Sequence, residues 1–494
     1  MNRYCLILSL SLINYCLAVN EYYTYDKIDD SLHAWQSNYG FSTHLLFPDH
    51  GIIYNLDTIG YSSQDSLPIF AVKLSDNANL DEDEAQVLIL GQCHAEEIYG
   101  VEIAMALIEC FIKPGNCNRL DTEEYGFDKG MLDNYLSTAL DKLEIWVVPT
   151  HNPEGLKVVH GYCDDGDSET TSACSLNNGN WVEDPSYRKN GKDVNNNGTF
   201  IEPDDWLRVI GQDMDGVDLN RNYDLNWIFG HDKFQQTYGT EYASCNNFYQ
   251  DDYDYYRGER SFSETEIQAI RNFALNKKFL LSIAYHSSRS GCVAEKVIFP
   301  WGWKEKTDQD TDRKKSPDYS VIKILGDKLH NILGFPKDGD YYAKPQGGRY
   351  GNAHDWFYRE TGCFQYLIEV GDFEYNGQWN PDDALLIDDN YDETLDRNLG
   401  VLFYLFMNAV GAPDVSVAGH SVNLSLITGL ITDEEGNILE NAIIKVLEMD
   451  GLVLKPRTTD KFGRYRRLLY PDSSSIMVCG CSKFNRHIPI RESR

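Results

Sequence analysis

Val87-Leu-Ile-Leu-Gly-Gln-Cys-His-Ala-Glu-Glu97 is the stretch on which the fold turns. Its first four residues are all apolar, as in a short strand covered on both faces. Gly91 breaks the run, and residues 101–112 then carry a helical pattern. The alternation continues outward in both directions. Upstream, residues 21–39 read as a helix with Ile28, Leu32 and Trp35 on one face, residues 68–74 as a strand and residues 81–84 as a charged turn. Downstream, strands at 143–149, 280–285 and 364–370 alternate with helices at 264–276, 321–333 and 392–409. The reading is an α/β fold with a mixed, mostly parallel sheet flanked by helices.

Two regions depart from that texture. Residues 161–216 form an insertion rich in Asp, Asn and Gly, where connections are normally short. After Gly411 the chain turns to short alternating segments such as Leu424-Ser-Leu-Ile-Thr428, separated by Gly-containing turns. That texture predicts a small all-β sandwich over 422–494, joined by a linker at 412–421 to the α/β block of 19–411. At the other end, Asn2-Arg3 precede an apolar run from Cys5 to Leu17 that closes on Cys16-Leu-Ala18. This is the layout of a signal peptide over 1–18, so an exported protein is expected, with no membrane insertion once the signal is removed.

The chain has 494 residues and a formal charge of -33. That charge argues against nucleic acid as a partner and favours cations. From residue 413 to the end, 11 Lys+Arg meet 10 Asp+Glu, so the acidic surplus belongs to the α/β block. Of 12 Cys, Cys5 and Cys16 leave with the signal, and Cys163 with Cys174 is the most plausible local disulfide in an oxidising compartment.

Four constellations carry chemistry. His94 and Glu97 stand three apart just past a strand end, and both offer donors that zinc accepts. Taken alone, the pair is a weak signal and is more often an exposed helix start. His286 ends another strand and could be a third ligand or a hydrogen-bonded structural residue. Gly216-Val-Asp-Leu-Asn-Arg-Asn222 offers the Arg221 fork and the Asn220 amide to a carboxylate, and Arg188 can add a second cation. Glu369 interrupts an apolar strand, a costly place for a carboxylate unless it has a task such as proton transfer.

Together, in this order and with Pro149-Thr-His-Asn-Pro-Glu-Gly155 and His354-Asp-Trp356, these segments resemble the zinc metallocarboxypeptidases of the carboxypeptidase A/B-like family. The resemblance covers roughly residues 22–410. It implies one zinc held by His94, Glu97 and His286, with peptide or protein C-termini as substrate. It further implies that Asn220 and Arg221 clamp the terminal carboxylate, Arg188 stabilises the oxyanion and Glu369 is the general base. Tyr350 is the choice for the family's substrate-capping tyrosine, and His354 falls where the family sets side-chain preference. Glu96 replaces an arginine that many relatives carry between the two ligands. The catalytic block starts directly after the signal, so no inhibitory prodomain is expected. The tail resembles a transthyretin-like regulatory domain through Gly429-Leu-Ile-Thr-Asp433 and Thr459-Asp-Lys-Phe-Gly-Arg-Tyr465. A monomer is expected.

Asp193, Asn195, Asn197, Gly198 and Asp204 fall at calcium-loop positions, with Asp at the last place instead of Glu. The alternatives are a hard-cation loop, Ca2+ above all, or a solvated Asn/Gly turn. Asn197-Gly-Thr199 also fits a glycosylation acceptor, which ligation through Asn197 would exclude. Rival functions are a metal-dependent amidase or deacylase on the same fold, and a catalytically silent binding or adhesion protein.

Overall fold

The computed structural model describes residues 22–120, 131–163, 171–177, 179, 181–184, 187–194, 196, 215–230, 255–287, 296–303, 314–334, 342–345, 350–370, 391–411, 416–417, 420–421, 424–446, 454–455, 457–469 and 478–480. The 1–18 segment, Asn195, Asn197, Gly198, Asp204 and much of the 161–216 insertion lie outside the described residues.

In chain order, the α/β block contains α1 (Tyr25–Tyr39), β1 (Tyr54–Tyr61), β2 (Pro68–Leu74), β3 (Ala85–Gln92), α2 (Tyr99–Ile112), α3 (Leu132–Lys142), β4 (Leu143–Thr150) and α4 (Pro153–His160). The insertion contributes β5 (Tyr162–Cys163), α5 (Thr171–Leu176) and β6 (Trp181–Val182). Then come α6 (Thr265–Lys277), β7 (Leu281–Ser287), β8 (Lys296–Phe299), β9 (Gly302–Trp303), β10 (Lys314–Lys315), α7 (Tyr319–Leu333), β11 (Tyr342–Pro345), α8 (Ala353–Thr361), β12 (Phe364–Val370) and α9 (Tyr391–Val410).

Eight strands form one sheet in the order β1-β2-β4-β3-β7-β12-β8-β11. The central β4, β3, β7 and β12 run parallel, while β1, β2 and the β12–β8 pairing are antiparallel. The sheet is therefore mixed with a parallel centre, as the apolar runs predict. β3, β4 and β7 each feed two cores. Val87 and Ile89 of β3 pack into the layer built by α1, α2, α3, α7 and α9, whereas Leu88 and Leu90 face the layer with α6 and α8. Alternate side chains leave opposite faces of a strand, so only an unbroken apolar run can serve both layers.

Two glycines let α2 start tight against the end of β3. A Cβ on Gly91 would lie 2.2 Å from Pro149 O, and one on Gly100 would lie 1.6 Å from Gly91 O. The turn between them, residues 93–98, holds His94 and Glu97 above the carboxyl ends of the parallel strands, the usual place for a site in an open α/β sheet.

Disulfides link Cys163 to Cys174, as the sequence predicts, and Cys110 to Cys117, which the spacing alone does not single out. Past α9 the described residues form only short antiparallel pieces. They are β13 (Ser416–Val417), β14 (His420–Ser421), β15 (Ser425–Leu430), β16 (Ile443–Val446), β17 (Arg457–Thr458), β18 (Arg464–Leu469) and β19 (Val478–Gly480). Among the described residues, no helix is long and apolar enough to cross a membrane.

Candidate active site

His94, Glu97 and His286 meet in a buried cluster at the carboxyl ends of β3 and β7. His94 Nδ1 lies 2.9 Å from Glu97 Oε2, His286 Nδ1 lies 2.7 Å from the same oxygen, and the two ring nitrogens are 3.0 Å apart. Two imidazoles and a carboxylate are a donor set that zinc takes. Zinc bonds of about 2.0–2.1 Å set tetrahedral edges near 3.3 Å, which a slight widening of this triangle meets. Burial alone would raise the Glu97 carboxyl, but His94 and His286 outweigh it and hold it well below the usual carboxylate range. Burial pushes the His286 ring down, so the neutral imidazole is favoured. An ionised carboxylate and neutral imidazoles are the forms that bind metal. The neighbouring His151 is pushed down to about 3, by burial first and then by His286 and His94.

The segment after β4 fastens the turn. Asn152 caps α4 by accepting from Gly155 N–H at 3.1 Å. Its Nδ2 donates to Cys93 O at 2.9 Å and to Lys189 O at 3.0 Å. Ala95 N–H donates to Arg188 O at 3.0 Å. One amide therefore ties the backbone beside His94 to the backbone beside Arg188.

Arg188 and Arg221 are both buried. Arg188 donates to Asp218 Oδ2 through Nε and Nη2, each at 3.2 Å, and to Glu97 Oε1 through Nη1 at 3.3 Å. Glu96 Oε1 lies 3.6 Å from the same Nη1, so the acidic replacement faces the guanidinium. Burial opposes the Arg188 charge, but Asp218 and Glu96 more than restore it. His94 Nε2 lies 3.1 Å from Asp218 Oδ1 and 2.9 Å from Arg188 Nη2, so Asp218 is placed as an outer carboxylate that can orient an imidazole holding metal. A single 3-10 turn, Leu219–Arg221, presents the next two residues. Arg221 Nη1 donates to Asn220 O at 2.7 Å and Asn352 Oδ1 at 3.0 Å. Asn220 Oδ1 accepts from Ala353 N–H at 2.9 Å, and its Nδ2 lies 3.4 Å from His286 Nε2.

Glu369 stands directly opposite His286 in the parallel β7–β12 register. It is the one residue of β12 that is not buried. The structure thus gathers His94, Glu97, His286, Arg188, Asn220, Arg221 and Glu369 at one end of the sheet. His354 is buried in the first turn of α8, with Nε2 3.5 Å from Asp355 Oδ1. Tyr350 is 38% exposed, its ring 6.1 Å from that of Phe229. Of the proposed calcium ligands only Asp193 is among the described residues.

Sequence reasoning missed Asp218 and Tyr255. Asp218 sits inside the 216–222 stretch, two residues before Asn220, where a lone Asp in a loop carries no signal of its own beside the amides and the fork. Tyr255 carries no sequence signal. Its ring lies 5.0 Å from the Arg188 guanidinium carbon and 5.3 Å from that of Arg221.

The fold and this cluster define an open α/β protein with a candidate mononuclear metal centre at the strand ends. The profile of the zinc carboxypeptidase family matches residues 46–394, and the chain belongs to that family. A zinc carboxypeptidase of Saccharothrix mutabilis subsp. capreolus is 29% identical over 109 residues, a match spanning 22% of this chain and only 21% of that protein. Thrombin activatable fibrinolysis inhibitor has a similar structure, with a TM-score of 0.50 and 16% identity, covering 79% of this chain and 75% of that one. Carboxypeptidase A from Helicoverpa armigera gives a TM-score of 0.50 and 15% identity, covering 79% and 73% respectively. At such identities the likeness is one of fold.

Proposed function

We propose that the protein is an exported zinc metallocarboxypeptidase that removes the last residue of peptides and proteins. The observation that carries this reading is Glu369 in register with His286, beside a His-Glu-His donor cluster and two buried guanidiniums.

His94, Glu97 and His286 would hold the zinc. When bound, zinc supplies Lewis acidity toward the scissile carbonyl and the attacking water. Arg221 and Asn220 bind the substrate's terminal carboxylate, with the fork giving two-point recognition. Arg188 donates to the oxygen that gains charge as the carbonyl carbon becomes tetrahedral; removing such a donor typically costs about 10²–10³ in kcat. Glu369 takes a proton from water as it attacks, then gives it to the leaving amine. The C–N bond breaks, releasing one amino acid and the shortened chain.

Export rests on the 1–18 sequence and is supported by the two disulfides, which persist in oxidising compartments. The transthyretin-like tail and the calcium loop at 193–204 remain part of the reading. Blocked dipeptides and their C-terminal amides, assayed with and without a chelator, test the function. Chelator-sensitive cleavage of the free acids alone is expected. Equal rates on amides point to an amidase, and no cleavage points to a binding protein.

A further inference from the structure

We propose that Tyr255 is a positioning residue that sets the spacing between Arg188 and Arg221, and so fixes the register in which one C-terminal residue is accepted. The inference rests on the carboxypeptidase reading and deepens it. Tyr255 is half-buried, and its single ring touches the guanidiniums of both arginines, at 5.0 Å and 5.3 Å. Each cation is drawn to the electron-rich face of an aromatic ring. Two buried like charges otherwise repel, and burial strengthens that repulsion. A shared ring counters it and ties the position of one fork to that of the other.

The ring is itself firmly seated. On its carboxyl side, Tyr256 O accepts from Asp218 N–H at 2.9 Å, joining the segment to the residue that holds Arg188 and His94. One residue further on, the Arg257 guanidinium lies 4.1 Å from the Trp227 ring. Its Nη1 donates to Ile228 O at 2.9 Å and Gly230 O at 2.6 Å, while Trp227 Nε1 donates back to Arg257 O at 3.0 Å. Asn222 Nδ2 donates to that same carbonyl at 2.8 Å, next to Arg221. The strap 255–257 is thus bonded to both ends of the stretch that carries the carboxylate clamp.

The spacing matters because the two arginines grip different atoms. Arg188 serves the scissile carbonyl and Arg221 the terminal carboxylate, and one residue separates those groups in an exopeptidase substrate. A residue advances an extended chain by only about 3.3–3.6 Å, so a small drift between the forks spoils simultaneous contact. Loss of the ring should weaken recognition of the free carboxylate and leave the chemistry at Glu369 intact.

The test uses the full-length protein with Tyr255→Leu and Tyr255→Phe, an N-blocked dipeptide and its C-terminal amide. KM and kcat are measured with zinc, and the dissociation constants by calorimetry on zinc-free protein. Tyr255→Leu should raise both KM and Kd for the acid about ten-fold, with amide binding unaltered. Tyr255→Phe keeps the ring and should match the wild type. The proposal is overturned if Tyr255→Leu discriminates acid from amide as the wild type does, if kcat alone falls, or if Tyr255→Phe is equally impaired. Wild-type protein that fails to distinguish acid from amide contradicts instead the carboxypeptidase reading on which the proposal stands.

Discussion

The carboxylate of Asp218 accepts from Asn220 N–H and from Arg188 through two nitrogens, and lies 3.1 Å from His94 Nε2. Burial by itself would raise its pKa, but Arg188, Arg221 and His94 hold it well below the usual range. It therefore stays ionised, orients one proposed ligand and fixes the proposed oxyanion donor. Asp218→Asn should weaken zinc binding about 10–100-fold, as loss of an outer carboxylate typically does. Competition with a chelator of known affinity measures it, and unchanged affinity would remove Asp218 from the metal site. At this scale the sequence was informative where residues stood in a pattern tied to a strand end, as His94, Glu97 and His286 do. Asp218 and Tyr255 escaped because their roles come from contacts between segments distant in sequence, which no local spacing encodes.

The elements that carry the site were the legible ones. β3 carries an unbroken apolar run, Val87–Leu90, because helices cover both of its faces, and β7 and β12 are buried along nearly their whole length. β1 was not, since Tyr54-Asn-Leu-Asp-Thr-Ile-Gly-Tyr61 lies at the sheet edge, half-exposed, and contains residues that strands disfavour. The start of α6 shows how an element can support the site from below. Asn190, two residues after Arg188, donates through Nδ2 to Glu264 Oε2 at 2.8 Å and Glu266 Oε1 at 3.2 Å. Burial, with Glu154 and Glu264 adding, pushes Glu266 up to about 8 from 4.5. The folded protein thus keeps a proton there that the unfolded chain loses. Its contribution to stability is full below about pH 4.5 and is lost as pH rises through about 8. Glu266→Gln removes that titration. Its melting temperature relative to wild type should therefore rise between pH 5 and pH 8.5, and parallel pH profiles for the two proteins would refute the assignment.

Across the whole molecule, the acidity of the α/β block meets a basic edge of the C-terminal segment. Arg464 Nε and Arg466 Nη2 each lie 2.6 Å from an Asp83 oxygen, Lys461 pairs with Asp81, and Arg467 pairs with Asp318. The charge count placed the surplus in the block, but it could not foresee that a nearly neutral tail would turn its cations toward it. The Asp81 and Asp83 carboxylates are partly exposed, so each of their pairs is worth little and salt weakens it. Asp83→Asn should lower the melting temperature by about 1 °C at low salt and by almost nothing at 1 M, where the screening length is about 3 Å. A loss that persists undiminished in high salt would assign Asp83 a different role. The strand-end cluster works as a catalytic centre only if Glu369, opposite His286, moves a proton. The most direct measurement is the rate at which zinc-loaded Glu369→Gln releases the last residue of a blocked dipeptide, alongside its zinc content. One zinc per chain is expected, with a rate at least about 10²-fold below wild type, since a positioned acid–base group contributes about 10²–10⁴. A wild-type rate with zinc retained would contradict it.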